Sequence, residues 1–184
     1  MSPFYELQTK SSISAQILEI AHNSEPWTTY FSFRLKVVPS EIFLKDEFLT
    51  WLRRGYVFQA AVIKLDPYTC YDWHTDTNRG VSVNMLLNPY VRSYCLFSPN
   101  KGGQTNDDID GDTVFNIEEL PYKASTYYLF NTQVQHTIYN FEDTRYLFSV
   151  EFSKDKNKLT FCELLKDVQN NFLKNLKAAE ISTL

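Results

Sequence analysis

The sequence has 184 residues, of which 43% are hydrophobic and 16% aromatic, and 22 acidic against 18 basic residues give a net charge of −4. This length predicts one domain spanning 1–184, and the apolar share is sufficient for one sizeable core. The acidic balance argues against nucleic acid as a partner, because affinity for nucleic acid comes from neutralising phosphates with Lys and Arg.

The sequence shows neither a membrane segment nor an export signal. No stretch approaches the run of about 20 apolar residues that a membrane-spanning helix needs, and residues 1–10 lack a basic segment followed by an apolar one. The cysteines Cys70, Cys95 and Cys162 are odd in number and form no CxxC pair, as is typical of reduced thiols. We therefore expect a cytoplasmic protein that does not act at a membrane.

The first third of the chain alternates between strand and helix patterns. Residues 1–10 indicate a short strand, and apolar residues recur at helical spacing over 12–23. Aromatic and β-branched residues then predict a strand over 30–38, which ends before a proline, and a short helix follows near 40–52.

The middle of the chain consists mainly of predicted strands. Short segments rich in aromatic and β-branched residues are separated by turn residues, and this pattern is typical of a sandwich or barrel rather than a parallel α/β sheet. The predicted strands cover 56–65, 80–87, 92–97, 113–117, 125–130, 135–140 and 144–152.

The last part of the chain predicts a helix, and a long irregular segment precedes it. Residues 159–178 carry apolar side chains at near-helical period and predict an amphipathic helix on an outer sheet face. Segment 98–112 is long enough to be a lid beside a site, although surface disorder is an equal interpretation. Its Asn106 and Asp108 begin a calcium-loop pattern, but the twelfth position is Ile117 rather than Glu, which argues against calcium.

His74 and Asp76 form an H-x-D pair. Two alternating residues on an extended backbone point the same way, so an imidazole and a carboxylate can converge on one ion. A second imidazole, from His136 on a later strand, would complete three ligands. Two histidines and one carboxylate with open positions are typical of non-haem Fe(II) oxygenases, whereas zinc prefers closed tetrahedral sites, often with thiolates. Arg79 is interpreted as a solvated loop residue.

Two segments within 56–153, WHTDTNRGVSVNMLLNP and YYLFNTQVQHTIYNFEDTRYLFSVEF, resemble the 2-oxoglutarate/Fe(II)-dependent dioxygenase superfamily, especially its small prolyl-hydroxylase and aspartyl/asparaginyl-hydroxylase branches. The resemblance implies a mainly β fold, a double-stranded β-helix (jelly-roll, cupin-like) barrel. Its core would cover about 56–153, with an N-terminal and a C-terminal helix (about 159–178) flanking it.

The resemblance also implies roles for individual residues. His74, Asp76 and His136 would bind Fe(II), and Arg145 would hold the far carboxylate of 2-oxoglutarate, to which a planar guanidinium can donate two parallel hydrogen bonds. In many members a hydroxyl donor lies two residues after the Arg, but this position is Leu147 here.

Another polar side chain is therefore expected to assist Arg145. The candidates are Tyr94, Asn84, Ser82 and Ser149, the last lying one alternation beyond Leu147. The sequence does not choose among them.

The activity implied is hydroxylation of a C–H bond of an amino-acid or peptide side chain, or of a small metabolite. O2 and 2-oxoglutarate would be consumed, with release of succinate and CO2, by a monomer or homodimer. The alternative is a cupin-type metal-binding β-barrel that uses the same three ligands in a non-redox or ligand-binding role. Arg145 separates the two hypotheses, because a simple metal-binding barrel has no reason to direct a guanidinium inward.

Overall fold

A computed structural model describes residues 2–30, 33–89, 91–98, 117–176 and 178. The strands in these ranges are β1 (Phe4–Lys10), β2 (Thr28–Tyr30), β3 (Phe33–Val37), β4 (Phe58–Leu65), β5 (Thr69–His74), β6 (Ser82–Leu86), β7 (Ser93–Ser98), β8 (Glu118–Glu119), β9 (Thr126–Phe130), β10 (Gln135–Asn140) and β11 (Arg145–Phe152). The helices are α1 (Ser14–His22), α2 (Ser40–Phe43), α3 (Glu47–Gly55) and α4 (Phe161–Asp167), which continues into a π-helical segment (Val168–Leu173).

The described strands form two antiparallel sheets. The larger has seven strands in the order β1-β9-β6-β11-β4-β3-β2, and the smaller has four in the order β5-β10-β7-β8. Most neighbours within a sheet are distant in sequence, which is typical of a jelly roll. The predicted double-stranded β-helix is therefore confirmed.

The main hydrophobic core lies between one face of the seven-stranded sheet and the helices. Successive side chains of a strand point to opposite faces, so Val62 of β4 and Phe148 of β11 face this core together with Ile17 of α1 and Leu164 of α4. All four are fully buried. The helices thus cover one face of the large sheet, and its other face is left for the small sheet.

Side-chain caps fix where two of the helices begin. The Asp46 carboxylate accepts a hydrogen bond from the backbone N–H of Leu49 at the start of α3, and Thr160 and Glu163 form a reciprocal capping box at the start of α4. Such caps satisfy N–H groups that have no partner within the helix.

The space between the two sheets is partly polar. A small apolar cluster occupies it, consisting of Cys95, Phe97, Leu120, Tyr128 and Phe130. Several buried polar residues lie on the strands that line or adjoin the space between the sheets, namely Ser82, Asn84, His136, Arg145 and Ser149. Along each strand they alternate with neighbours that face the core. Because burial of polar groups is costly, this interior is where a functional site is expected.

Some predicted element boundaries were wrong. The predicted strand 30–38 overlaps two strands that pair antiparallel, β2 at its first residue and β3 over Phe33–Val37, and the predicted helix 40–52 is divided into α2 and α3. Strand β5 was not predicted, because its half-exposed sequence TCYDWH lacks a clear apolar alternation.

Other predictions are confirmed or fall outside the described residues. The C-terminal helix begins at Phe161 and packs on the large sheet as expected. All of segment 98–112 except its first residue, the calcium pattern within it and most of the predicted strand 113–117 lie outside the described residues. In the described part of the chain, no helix is long and apolar enough to span a bilayer.

Candidate metal and cosubstrate site

The register of the small sheet brings two imidazoles together. His74 is the last residue of β5, and its partner across the sheet is His136, near the start of β10. The two ring centroids lie 4.3 Å apart. The two histidines that the sequence singled out therefore meet at one end of this sheet.

The carboxylate of Asp76, two residues beyond β5, points to the same place. Its Oδ1 lies 3.7 Å from His74 Nε2 and 4.0 Å from His136 Nε2. One ligand atom from each of the three residues lies within 4.8 Å of the other two. This spacing fits three donors on one side of a common cation, and the set of two imidazoles and one carboxylate fits Fe(II).

Backbone carbonyls orient both imidazole rings. His74 Nδ1 lies 2.6 Å from the carbonyl oxygen of Asp72, and His136 Nδ1 lies 2.9 Å from that of Val134. A carbonyl can only accept, so each Nδ1 carries the proton and each Nε2 presents a lone pair. Burial lowers the pKa of His136 to about 4, so this imidazole is neutral at physiological pH, as a metal ligand must be.

The loop that carries Asp76 is fastened to the turn before β10. The Asp76 N–H donates to the carbonyl oxygen of Thr132 at 2.9 Å. The Gln133 side-chain amide donates to the carbonyl oxygens of Asp76 and Arg79 at 2.8 and 2.7 Å. The segment that supplies the carboxylate is thus tied directly to the segment that supplies His136.

Arg79 holds the second oxygen of the same carboxylate. Its Nη2 lies 2.7 Å from Asp76 Oδ2, and this contact is an ion pair rather than a directed hydrogen bond, since Oδ2 has no hydrogen-bond partner in the described part of the chain. Arg79 therefore holds Oδ2 on the side of the carboxylate that points away from the imidazoles, and Oδ1 faces the imidazoles. The interpretation of Arg79 as a solvated loop residue was wrong. Neither this ion pair nor the role of Gln133 has a local signal in the sequence, because both depend on how the loop folds.

Arg145 lies fully buried at the start of β11. Its Nε, Nη1 and Nη2 atoms have no hydrogen-bond partner among the described residues. The guanidinium carbon lies 5.2 Å from the centroid of the Tyr122 ring, a cation–π contact that offsets only part of the cost of burying a charge. A buried cation with all its donors free is suited to receive an anionic ligand.

Tyr122 is a site residue that the sequence did not predict. Burial raises the pKa of its phenol well above the ordinary value, and the nearby side chain of Asn84 acts against this rise. Asn84 Oδ1 has no hydrogen-bond partner within the ranges that the structure describes. Tyr122 and Asn84 therefore bring further polar atoms to the neighbourhood of the Arg145 guanidinium.

The predicted assistants of Arg145 lie in two different places. Asn84 and Ser149 are paired across β6 and β11 and are each 6% exposed, and Ser82 is buried two residues before Asn84. Tyr94 is 39% exposed, and its ring packs on Phe141 at 5.7 Å. Since the neighbouring Cys95 points between the sheets, Tyr94 lies on the outer face, and the structure does not bring it to Arg145.

Sequence comparison gives no relative, whereas structural comparison gives many. No family model and no curated protein matches the sequence. An oxidoreductase of the 2OG-Fe(II) oxygenase family from Burkholderia pseudomallei is similar with a TM-score of 0.60 at 10% identity, over 86% of each chain.

Two further structures are similar over comparable lengths. A Trichoplax adhaerens prolyl hydroxylase, in complex with a hypoxia inducible factor peptide fragment, has a TM-score of 0.59 at 13% identity, over 82% of this chain and 83% of the other. HygX from Streptomyces hygroscopicus, with nickel, 2-oxoglutarate and hygromycin B bound, has a TM-score of 0.59 at 10% identity, over 83% of each chain. At such identities the likeness shows the fold, and the fold of this chain is that of the 2-oxoglutarate/Fe(II)-dependent oxygenases.

Proposed function

We propose that the protein is a non-haem Fe(II)- and 2-oxoglutarate-dependent oxygenase. The observation that carries this proposal is Arg145, a fully buried guanidinium whose three nitrogens have no hydrogen-bond partner among the described residues. It shares the interior between the sheets with the triad of His74, Asp76 and His136. A metal site alone does not need such a cation, whereas a metal site that also binds a dicarboxylate does.

The triad would hold the iron through two Nε2 atoms and one carboxylate oxygen. Cys95, a buried cysteine that also faces the interior between the sheets, does not belong to the triad, and burial raises the pKa of its thiol to about 12. A thiol that stays protonated is a poor zinc ligand. Three ligands that leave further positions open suit an iron ion that must also accept a cosubstrate and O2.

Arg145 would receive the far carboxylate of 2-oxoglutarate in two parallel hydrogen bonds. Tyr122 and Asn84 would then offer additional hydrogen bonds close to the guanidinium. Ser149, paired with Asn84 across the sheet, is a further partner. When bound, iron and 2-oxoglutarate supply an oxidation by O2 that releases succinate and CO2.

The chain's own contribution is to position these groups and to exclude water. Arg79 and Gln133 hold the Asp76 loop in place before any ligand arrives. The apolar cluster around Phe97 and Phe130 closes the interior beside His136, with ring centroids 5.8 and 4.8 Å from that imidazole. A dry interior strengthens the pairing of Arg145 with an anion.

The substrate would be a small molecule or a side chain of a peptide or protein. Both kinds occur among the similar structures, since the Trichoplax adhaerens enzyme is in complex with a peptide and HygX has hygromycin B bound. A single domain, a monomeric or homodimeric state and a cytoplasmic location stay predictions.

The first test is an anaerobic titration of the purified protein with Fe(II) and then 2-oxoglutarate. We expect a metal-to-ligand charge-transfer band in the visible range, because 2-oxoglutarate would bind the iron directly. His74→Ala should abolish the band, and Arg145→Gln should raise the 2-oxoglutarate concentration needed by about 10- to 100-fold, since a charge-assisted pair is lost.

Arg92→Gln is the matched control, because this arginine pairs with Glu142 at the surface. Its titration should be unchanged. Metal binding without a band in the unmodified protein would contradict the proposal and favour a metal-binding barrel of another kind.

A further inference from the structure

The two carboxylate oxygens of Asp76 have different neighbours. Oδ1 lies 3.7 Å from His74 Nε2 and 4.0 Å from His136 Nε2, whereas Oδ2 lies 2.7 Å from Arg79 Nη2. A carboxylate can bind a metal ion through one oxygen or through both. The mode that Asp76 adopts therefore determines how many positions on the ion remain for other ligands.

The environment of Oδ2 makes a positive neighbour necessary. The Asp76 side chain is 11% exposed, and Oδ2 is buried without a hydrogen-bond partner among the residues that the structure describes. A buried carboxylate oxygen without a counter-charge is costly, and the guanidinium of Arg79 supplies that charge. Without this guanidinium, a metal ion bound to Oδ1 would be the cation to which Oδ2 turns.

The backbone that carries Arg79 is held from two sides. Its carbonyl oxygen accepts hydrogen bonds from Thr132 Oγ1 and, at 2.7 Å, from Gln133 Nε2. The carbonyl oxygen of the preceding residue, Asn78, accepts from the N–H of Lys156 at 2.7 Å. The side chain of Arg79 therefore extends from a fixed segment, which limits the orientations in which its guanidinium can reach Asp76.

We propose that Arg79 is a positioning residue that keeps Asp76 a metal ligand through Oδ1 alone. The inference rests on the metal site of the proposed function, because the choice between one oxygen and two matters only when the triad holds an ion. With one atom from each of its three residues, the triad leaves three positions of a six-coordinate ion open. Chelation by both Asp76 oxygens would take one of them, and no open position would remain once 2-oxoglutarate has taken two.

A role for Arg79 in holding the loop alone predicts a different effect on metal affinity. The Arg79 side chain is 28% exposed, and a single ion pair of this kind stabilises a fold little. Loss of support for a ligand weakens metal binding. Removal of a cation beside the ion, together with access to a second carboxylate oxygen, strengthens metal binding. The sign of the change in metal affinity therefore separates the two roles.

The test records infrared difference spectra of the protein with and without Co(II), with carbon-13 in the aspartate carboxylates. The antisymmetric and symmetric stretches of a carboxylate lie further apart when one oxygen binds a metal ion than when both do. We expect the wide separation in the unmodified protein and the narrow one in Arg79→Gln. This variant should bind Co(II) as tightly as the unmodified protein or up to about 10-fold more tightly.

Arg34→Gln is the matched control. Arg34 also pairs through Nη2 with the Oδ2 atom of an aspartate, Asp66, and its side chain is 39% exposed, but Asp66 does not belong to the triad. The spectra and the Co(II) affinity of this control should be those of the unmodified protein. Arg79→Lys should keep the wide separation, because an ammonium can replace a guanidinium in a single ion pair.

A wide separation in Arg79→Gln, or a narrow one in the unmodified protein, would overturn the proposal. A Co(II) affinity of Arg79→Gln that falls by about 10-fold or more would also overturn it and reduce Arg79 to a support of the loop. Failure of Co(II) to bind at the triad of the unmodified protein would refute both this inference and the proposed function. If Co(II) binds but 2-oxoglutarate does not, the proposed function alone fails, because the spectra of the Co(II) protein still decide the role of Arg79.

Discussion

Replacement of Arg145 by Met should stabilise the ligand-free protein. Exchanging a buried ion for an apolar residue of similar volume is neutral or stabilising by about 1–4 kcal/mol. The contact between the guanidinium and the Tyr122 ring, at 5.2 Å, contributes up to about 2 kcal/mol that the variant loses. We expect a net gain of about 1–2 kcal/mol, or a rise in Tm of about 2–4 °C per kcal/mol for a chain of this size.

The same variant should lose its response to 2-oxoglutarate. With Ni(II) present, the unmodified protein should gain about 2.7 kcal/mol at a 2-oxoglutarate concentration 100 times Kd, whereas Arg145→Met should gain almost nothing. Urea denaturation with and without 2-oxoglutarate measures both effects. Arg92→Met is the control, since this guanidinium also lies over an aromatic ring, at 4.8 Å from Phe141, but its side chain is 62% exposed.

Two results would refute this reasoning about Arg145. If Arg145→Met is less stable than the unmodified protein in the absence of ligand, the guanidinium serves the fold rather than a ligand. If the variant keeps its stabilisation by 2-oxoglutarate, the cosubstrate does not bind at this cation.

Three further predictions concern the loop, a close backbone contact and a buried thiol. Gln133→Ala should lower Co(II) affinity by about 10- to 100-fold, as expected when a group that orients a metal ligand is lost. The control Gln16→Ala, on the exposed side of α1, should leave Co(II) affinity unchanged. Equal affinities in the two variants would contradict the role of Gln133 in holding the Asp76 loop. Gly80→Ala should destabilise the protein in urea by about 1–3 kcal/mol, because its Cβ would lie 2.3 Å from a backbone oxygen, whereas Gly55→Ala, with nothing within 4 Å, should be neutral or slightly stabilising. Burial raises the pKa of Cys95 to about 12, so this thiol stays protonated at mildly alkaline pH. A thiol reagent should therefore label the two exposed cysteines quickly and Cys95 only after unfolding. Rapid labelling of all three cysteines would contradict the burial of Cys95.

The sequence was sufficient to predict those site residues whose roles follow from a local pattern. His74 and Asp76 are separated by one residue, and alternation on an extended backbone predicted that they converge. In the structure His74 ends β5, and Asp76 lies in the loop that follows. Arg145 and His136 were placed by their resemblance to a known arrangement, and the structure shows an inward-facing guanidinium and a buried imidazole. The positions of these site residues depend on residue spacing within one or two strands.

The sequence was not sufficient to predict side chains whose positions depend on tertiary contacts. Tyr122 lies in an irregular segment between β8 and β9, so no periodicity indicates which way its ring points. Tyr94 was proposed as one of several possible polar partners of Arg145, but β7 has apolar residues on both of its faces, with Cys95 and Phe97 on one and Tyr94 and Leu96 on the other. Strand alternation alone could not show which face is buried.

The C-terminal segment, which lies outside the part of the chain that resembles the dioxygenases, supports the metal loop. The backbone N–H of Lys156 donates to the carbonyl oxygen of Asn78 at 2.7 Å, and Gly80 leaves room for the carbonyl oxygen of Leu159. Gln133 binds the same loop from the other side. The loop that carries Asp76 is therefore held by the segment that leads into α4 as well as by the barrel.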